Sequence, residues 1–312
     1  MCYKFLHADW SRFFALDVSR LIAPDEPDGT VIERANGSAP MLLTADHAGN
    51  LVPRSLGQLG LPASELERHI GIDIGILGVS QEISRLLDAT LIYQRYSRLV
   101  IDCNRHPQHP SAFASMSDHT EVPGNQNIAV ADAARRITDI FMPYHAAISS
   151  WLDMRRAHVV PAALVAMHSF TPHHRALGGE RPWPIAMLFH RDNAIATRLI
   201  DLLRENTSLQ VGENQPYAAS PETDFAIPVH GEARSVPVVG IEIRQDLIAT
   251  PEAQKEWSAL LAPLLSQAVN EVLDKRSSLS AAASRGTSRS SAAPSARWCA
   301  LCHRKISHER PG

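Results

Sequence analysis

Between Met41 and Asp274, short apolar runs alternate with segments of helical hydrophobic period, and this alternation narrows the choice of fold more than any other feature. Met41–Ala45, Thr90–Gln94, Leu99–Cys103, Ala162–Met167, Pro184–Phe189 and Val236–Arg244 read as buried strands. Ser64–Ile70 reads as a short helix, with Ser64 as N-cap and Glu67 three residues later. Asp73–Asp88 carries a helical stripe of Ile74, Leu77, Ile83, Leu86 and Leu87. Ala129–Arg156 has a long helical pattern that Pro143 must kink or divide. Asn193–Glu205 and Pro251–Asp274 complete the helices, the last with Thr250 as N-cap and Pro251 at its first position. Strands alternating with helices predict an α/β sheet covered on both faces. No internal repeat is visible, so one domain over residues 38–275 is expected, after a lead-in of helix and loop over residues 1–37.

Composition removes several classes. At 45% hydrophobic residues the chain of 312 is too apolar to be mostly disordered. Its 4 cysteines are too few for a disulfide-dense module. No apolar run approaches the roughly 20 residues of a membrane span. The first residues show no signal-type apolar run, and the expectation is a cytoplasmic protein with reduced thiols. Net charge is −3, but the residues from Arg276 onward hold seven Lys/Arg and one acid. The remainder is therefore acidic, at 23 basic against 32 acidic residues, which argues against nucleic-acid or anionic-membrane partners.

Chemistry-bearing residues gather where strands end, the usual place for a ligand in an α/β sheet. Asp46-His47-Ala48-Gly49-Asn50 follows the first apolar run. Arg98 and Asn104-Arg105 flank Leu99–Cys103. Two guanidinium groups and an amide suit a carboxylate, although surface ion pairs would look the same. His168 follows another buried run, and two strand-terminal histidines can converge on one metal. Glu242 lies inside an apolar strand, where a carboxylate is costly unless it is paired or faces a site. Arg244 shares its face by period two, so a structural Glu242–Arg244 pair is the competing explanation. Gly124-Asn125, Arg181-Pro182-Trp183 and Asn214-Gln215-Pro216-Tyr217 are further polar clusters that loop packing alone would explain.

Residues 276–312 are set apart. The stretch 276–297 holds eight Ser, six Ala and four Arg with one large apolar residue, Leu279, and is expected to be disordered. Beyond it lie Cys299, Cys302 and His303. That C-x-x-C-H run is compatible with haem attachment or with zinc, and is read here as an incidental tail.

Taken in order, ADHAGNLVP, HIGIDIG, YSRLVIDCNR, PGN, PYH, HSFTP, RPW, NQPY and IEIRQDL resemble the N-formylglutamate amidohydrolase (N-formylglutamate deformylase) family across Leu21 to Leu265. That family is similar to zinc carboxypeptidases and aspartoacylases. The resemblance implies a single-domain, mixed but mostly parallel sheet of the phosphorylase/hydrolase-like, zinc-carboxypeptidase-like kind. It implies one zinc, or another divalent ion, and hydrolysis of a linear amide beside a carboxylate. By motif position, His47 and His168 would be metal ligands and Glu242 the catalytic glutamate. Arg98 would polarise the scissile carbonyl, while Asn104 and Arg105 would hold the substrate carboxylate. One position departs from the wider pattern: Asn50 stands where a His-x-x-Glu motif has its glutamate. The anionic ligand must then come from elsewhere, with Asp73 preferred over Asp46.

The activity so implied is release of formate from N-formylglutamate or a related N-formyl or short N-acyl amino acid. The alternatives are another acyl amino acid, N-formylmaleamate, or a non-catalytic carboxylate-binding relative. The partner expected is a small carboxylate-bearing molecule, not nucleic acid or membrane. Oligomeric state is not legible.

Overall fold

Residues 20–287 are described by a computed structural model. The segment before Met41 contains a strand, β1 (Thr30–Glu33), beyond the loop its prolines and glycines suggest. It pairs antiparallel with β3 (Thr90–Gln94), which lies parallel to β2 (Met41–Ala45). A two-residue hairpin, β4 (Met116–Ser117) and β5 (Thr120–Glu121), stands apart. The other strands are β6 (Ala163–Phe170), β7 (Ile185–Leu188), β8 (Val211–Glu213) and β9 (Val238–Arg244). Together they form a seven-stranded sheet in the order β1-β3-β2-β6-β9-β7-β8. Four of its pairings are parallel, and β1–β3 and β7–β9 are antiparallel.

Alternate residues of each strand enter two separate cores, as a sheet covered on both faces requires. Met41, Leu43, Val165 and Ile241 pack under α2 (Ile76–Leu87), α5 (Ala194–Asn206) and α6 (Pro251–Thr287). Leu42, Leu164 and Val238 pack under α4 (Met142–Ala157), which follows α3 (Val130–Arg136) in the chain. Between α3 and α4, Ile137–Phe141 is a π-helical turn that runs directly into Pro143 near the start of α4, so the proline falls where the hydrogen-bond register changes. No helix among the described residues is long and apolar enough to cross a membrane.

Three expectations need correction. The Ser64–Ile70 helix shrinks to α1 (Ala63–Leu66), which has Pro62 at its N-cap and no side-chain cap. Residues 276–287, expected to be disordered from their Ser/Ala/Arg content, are helical. They extend a helix already nucleated over Pro251–Asp274, and alanine is the best residue for propagating one. They belong to a second unit that begins at Lys275, the core-bearing unit ending at Asp274. The first part of the lead-in, residues 1–19, and the Cys299, Cys302 and His303 cluster lie outside the described residues.

The third correction is the most informative, because Leu99–Cys103 is not a strand but a buried loop. Its backbone finds partners that no hydrophobic pattern reveals. Asn125 Nδ2 donates to Leu99 O at 2.8 Å, and Arg136 Nη1 donates to Val100 O at 3.0 Å. Arg136 also donates to Asn125 Oδ1 at 2.6 Å and to Gly124 O at 3.1 Å. The PGN motif is thus a peg for the loop that carries Arg98, Asp102, Asn104 and Arg105. Asn125→Ala should lower stability by about 3 kcal/mol, since it strands the Leu99 carbonyl and part of a buried guanidinium. A denaturant midpoint unchanged from wild type would contradict this role.

Candidate metal and substrate site

The site lies at the C-terminal edge of the parallel strands. His47 follows β2 directly, in a loop held close to the chain after β3. Leu51 N–H donates to Arg95 O at 3.1 Å, and Ser97 N–H returns a bond to Leu51 O at 2.8 Å. A Cβ on Gly49 would sit 2.0 Å from Arg95 O, so the fourth residue of the DHAG run has to be glycine. Asp73 stops short of α2 and joins the site instead, its N–H donating to His47 O at 2.9 Å. Gly75 then turns the chain with φ +79° against Ile248 O, a space closed to any side chain.

His168 is not past the end of its strand, as the apolar run suggests, but inside β6, which runs on to Phe170. Its register partner on β9 is Glu242. Side chains of register partners share a face, so one pleat delivers an imidazole and a carboxylate together.

His47, Asp73 and His168 are all buried, and one ligand atom from each lies within 4.8 Å of the others. Asp73 Oδ2 is 3.0 Å from His168 Nδ1 and 3.4 Å from His47 Nδ1. The remaining nitrogen of His47, Nε2, lies 2.8 Å from Asp102 Oδ1. If Nε2 carries the proton toward Asp102, Nδ1 presents a lone pair to the cluster, and Nδ1 makes no hydrogen bond of its own. A carboxylate behind a ligating histidine is the usual orienting arrangement of a metal site. Two imidazoles and one carboxylate, with an enclosed unsatisfied nitrogen, fit a divalent ion of the zinc class.

Asp46, the alternative ligand, stands behind. Its Oδ1 accepts from the Tyr144 hydroxyl, and its Oδ2 is 3.8 Å from His168 Nε2, on the side of the ring away from Asp73. The Tyr144 of the PYH motif therefore fixes Asp46 and does not line the cavity.

Arg98 bridges the two carboxylates, Nη1 reaching Asp73 Oδ1 at 3.3 Å and Nη2 reaching Asp102 Oδ2 at 2.9 Å. Burial alone would raise the Asp102 carboxyl, but His47 and Arg98 outweigh it and hold it well below its ordinary value. Burial likewise opposes a charge on His168, yet Asp73 lifts that imidazole to about 9. Glu242 is dominated by burial, which raises it to about 7. Its Oε2 makes no hydrogen bond. The Glu242–Arg244 pair does not form, because Arg244 Nε and Nη2 hold Asp246 at 2.9 and 3.2 Å.

These groups open on a cavity of about 410 Å³. Its lining also includes Arg105, Tyr217 and Thr223. Arg105 donates to Thr223 O and, at 3.1 Å, to Asn104 O, which leaves other guanidinium hydrogens for a ligand. Asn104 also borders the cavity, but its amide is largely engaged. It donates to Asp224 Oδ1 at 3.1 Å and accepts from Phe225 N–H at 2.9 Å and Ala226 N–H at 3.2 Å. Asn104 thus anchors the segment that faces Arg105. Tyr217 is held by Arg181, whose Nη1 donates to its hydroxyl at 2.9 Å. Asp102 is the contributor that sequence reasoning passed over. Its only signal was its place in the Ile101–Arg105 run, where the following Asn and Arg drew the attention.

The N-formylglutamate amidohydrolase family model matches residues 39–249. No curated protein matches the chain. Among solved structures, the Atu2144 gene product of Agrobacterium tumefaciens is similar at 33% identity and a TM-score of 0.77, covering 81% of this chain and 99% of that one. The N-formylglutamate amidohydrolase of Ralstonia eutropha JMP134 shares the fold at 19% identity and a TM-score of 0.61, over 80% of this chain and 98% of that one. With the family model matching most of the chain, this protein belongs to the N-formylglutamate amidohydrolase family.

Proposed function

We propose that the protein hydrolyses N-formylglutamate, or a closely related N-formyl or short N-acyl amino acid, to formate and the free amino acid, using one zinc ion. The observation that carries this reading is the cavity that joins the His47–Asp73–His168 cluster and the unpaired Glu242 carboxylate to the Arg105 guanidinium. A cytoplasmic setting belongs to the same proposal and rests on the sparse cysteines and the family's small-molecule chemistry.

Zinc, when bound, supplies a Lewis acid that polarises a carbonyl and acidifies water. His47, Asp73 and His168 would hold it. Asp102 would keep His47 in the ligating tautomer. Glu242, a buried carboxyl whose Oε2 makes no hydrogen bond, would take a proton from the attacking water and pass it to the departing amine nitrogen. Arg98 would face the negative charge that develops on the carbonyl oxygen. Arg105 would hold the substrate carboxylate, with Asn104 fixing the wall behind it. Water adds across the amide C–N bond, so oxygen ends on formate and hydrogen on the amine.

The test is formate release from a panel of N-formyl amino acids, with zinc supplied and with metal stripped. Zinc-dependent release from N-formylglutamate supports the reading, and release from none of the panel overturns it. Within that assay, Arg105→Lys should raise KM by roughly tenfold or more and change kcat little, because lysine keeps a charge but loses the planar fork. Amidating the substrate carboxylate should narrow the difference between mutant and wild type. An equal penalty on the amidated substrate would remove Arg105 from that role.

A further inference from the structure

Two histidines on the cavity wall have no part in the function proposed above. His69 opens the HIGIDIG motif, and His174 lies just past HSFTP. The fold brings both onto Asp118, at the turn between β4 and β5. Asp118 Oδ1 lies 3.1 Å from His174 Nδ1, and Oδ2 lies 3.3 Å from His69 Nε2. One ligand atom from each of the three falls within 4.8 Å of the others. From this geometry we propose a second cation site, separate from His47–Asp73–His168, that takes a divalent ion of the zinc class.

Ordinary hydrogen bonding does not account for the cluster. His69 Nε2 is enclosed and makes no hydrogen bond, despite its nearness to Asp118. His174 Nδ1 accepts from Leu177 N–H at 3.1 Å, which occupies its lone pair and leaves it no proton for the Asp118 carboxylate 3.1 Å away. Neither of the ring nitrogens nearest Asp118 makes a hydrogen bond to it, and a cation among the three groups would turn that mismatch into ligation. Imidazole, imidazole and carboxylate are the donors that zinc-class ions select.

The surroundings leave the carboxylate negative and hold it in place. Its side chain is 1% exposed. Arg68 Nη2 donates to Oδ2 at 3.1 Å, but the same guanidinium is shared with Glu65 and with Thr120 Oγ1 at 2.8 Å. Ala176 N–H donates to Oδ1 at 2.9 Å, which fixes the carboxylate's orientation. Such supporting bonds are what ligand carboxylates require. The three ligands come from the turn after α1, the β4–β5 hairpin and the loop after β6. An ion here would tie three separate stretches of the cavity rim together, and the Leu177 N–H bond is the contact it would displace.

The experiment is calorimetric titration of metal-stripped, full-length protein with zinc ions, in a Cys299→Ser/Cys302→Ser background that removes the tail's thiols. Two binding events per chain are expected. His174→Ala should abolish one, or weaken it by at least about tenfold, and leave the other unchanged. His168→Ala should do the reverse, so failure of either site shows separately from failure of the other. His69→Gln, chosen because its side chain keeps a polar group, repeats the test should His174→Ala lower the metal-free melting temperature. A single event in the parent protein would overturn the proposal. So would two events that persist at full affinity in both His174→Ala and His69→Gln.

Discussion

Glu242→Gln is expected to lower turnover by roughly 10²–10⁴-fold, the usual worth of a positioned acid–base group, with zinc content and KM close to wild type. Glutamine keeps the volume of the side chain and removes the proton acceptor. The competing explanation was a structural ion pair with Arg244, and the geometry separates the two outcomes. Arg244 is held by Asp246, so the substitution leaves no buried guanidinium without a partner. Burial raises the Glu242 carboxyl to about 7, above its value in an unfolded chain. Between that unfolded value and about 7 the folded protein binds the extra proton, so this group's contribution to stability falls as pH rises through that window. Glutamine has no such dependence. The metal-free variant should therefore melt no lower than wild type at pH 8. A destabilised variant that still turns over would remove Glu242 from the proton-transfer role.

The second large effect is loss of metal. His47→Ala and His168→Ala should each lower the zinc retained after dialysis by about one ion per chain, and activity should fall to background. Asp73→Ala should act in the same direction, and more strongly than Asp46→Ala, because Asp73 faces both imidazoles and Asp46 faces neither Nδ1. Asp102→Asn, which touches no ion itself, should weaken metal binding by about 10–100-fold through its hold on His47 and Arg98. Metal content measured alongside melting temperature distinguishes a lost ligand from a lost fold. Undiminished zinc in both histidine variants would refute the ligand set.

Much of the sheet could be read from the chain because its strands are almost wholly apolar and its helices amphipathic. Met41–Ala45, Ile185–Leu188 and Val238–Arg244 announce themselves this way. Leu99–Cys103 misleads for the same reason. It is as apolar as a strand, but its carbonyls are met by Asn125 and Arg136, and nothing local records side-chain partners that lie 26 and 36 residues away. At the site, residue type and motif order point to His47, His168 and Glu242. They cannot show that His168 and Glu242 are register partners, or that Asp102 rather than solvent meets His47 Nε2. The short edge strands β1 and β8 went unread because four and three residues give period two too little length.

The pairing of His168 with Glu242 across β6 and β9 has a consequence for how such an enzyme diversifies. The separation of those two groups is set by the spacing of hydrogen-bonded strands, about 4.8 Å between chains, and not by any loop. Arg105, Tyr217 and Thr223 stand on irregular segments, which tolerate insertion and exchange. On the proposed function, the hydrolytic half of the cavity would be inherited with the sheet, and the recognition half would be free to drift. Relatives sharing this β6–β9 register should keep the same bond-breaking chemistry while their preferred acyl amino acids diverge, and grafted loops should transfer preference without retuning the hydrolytic step.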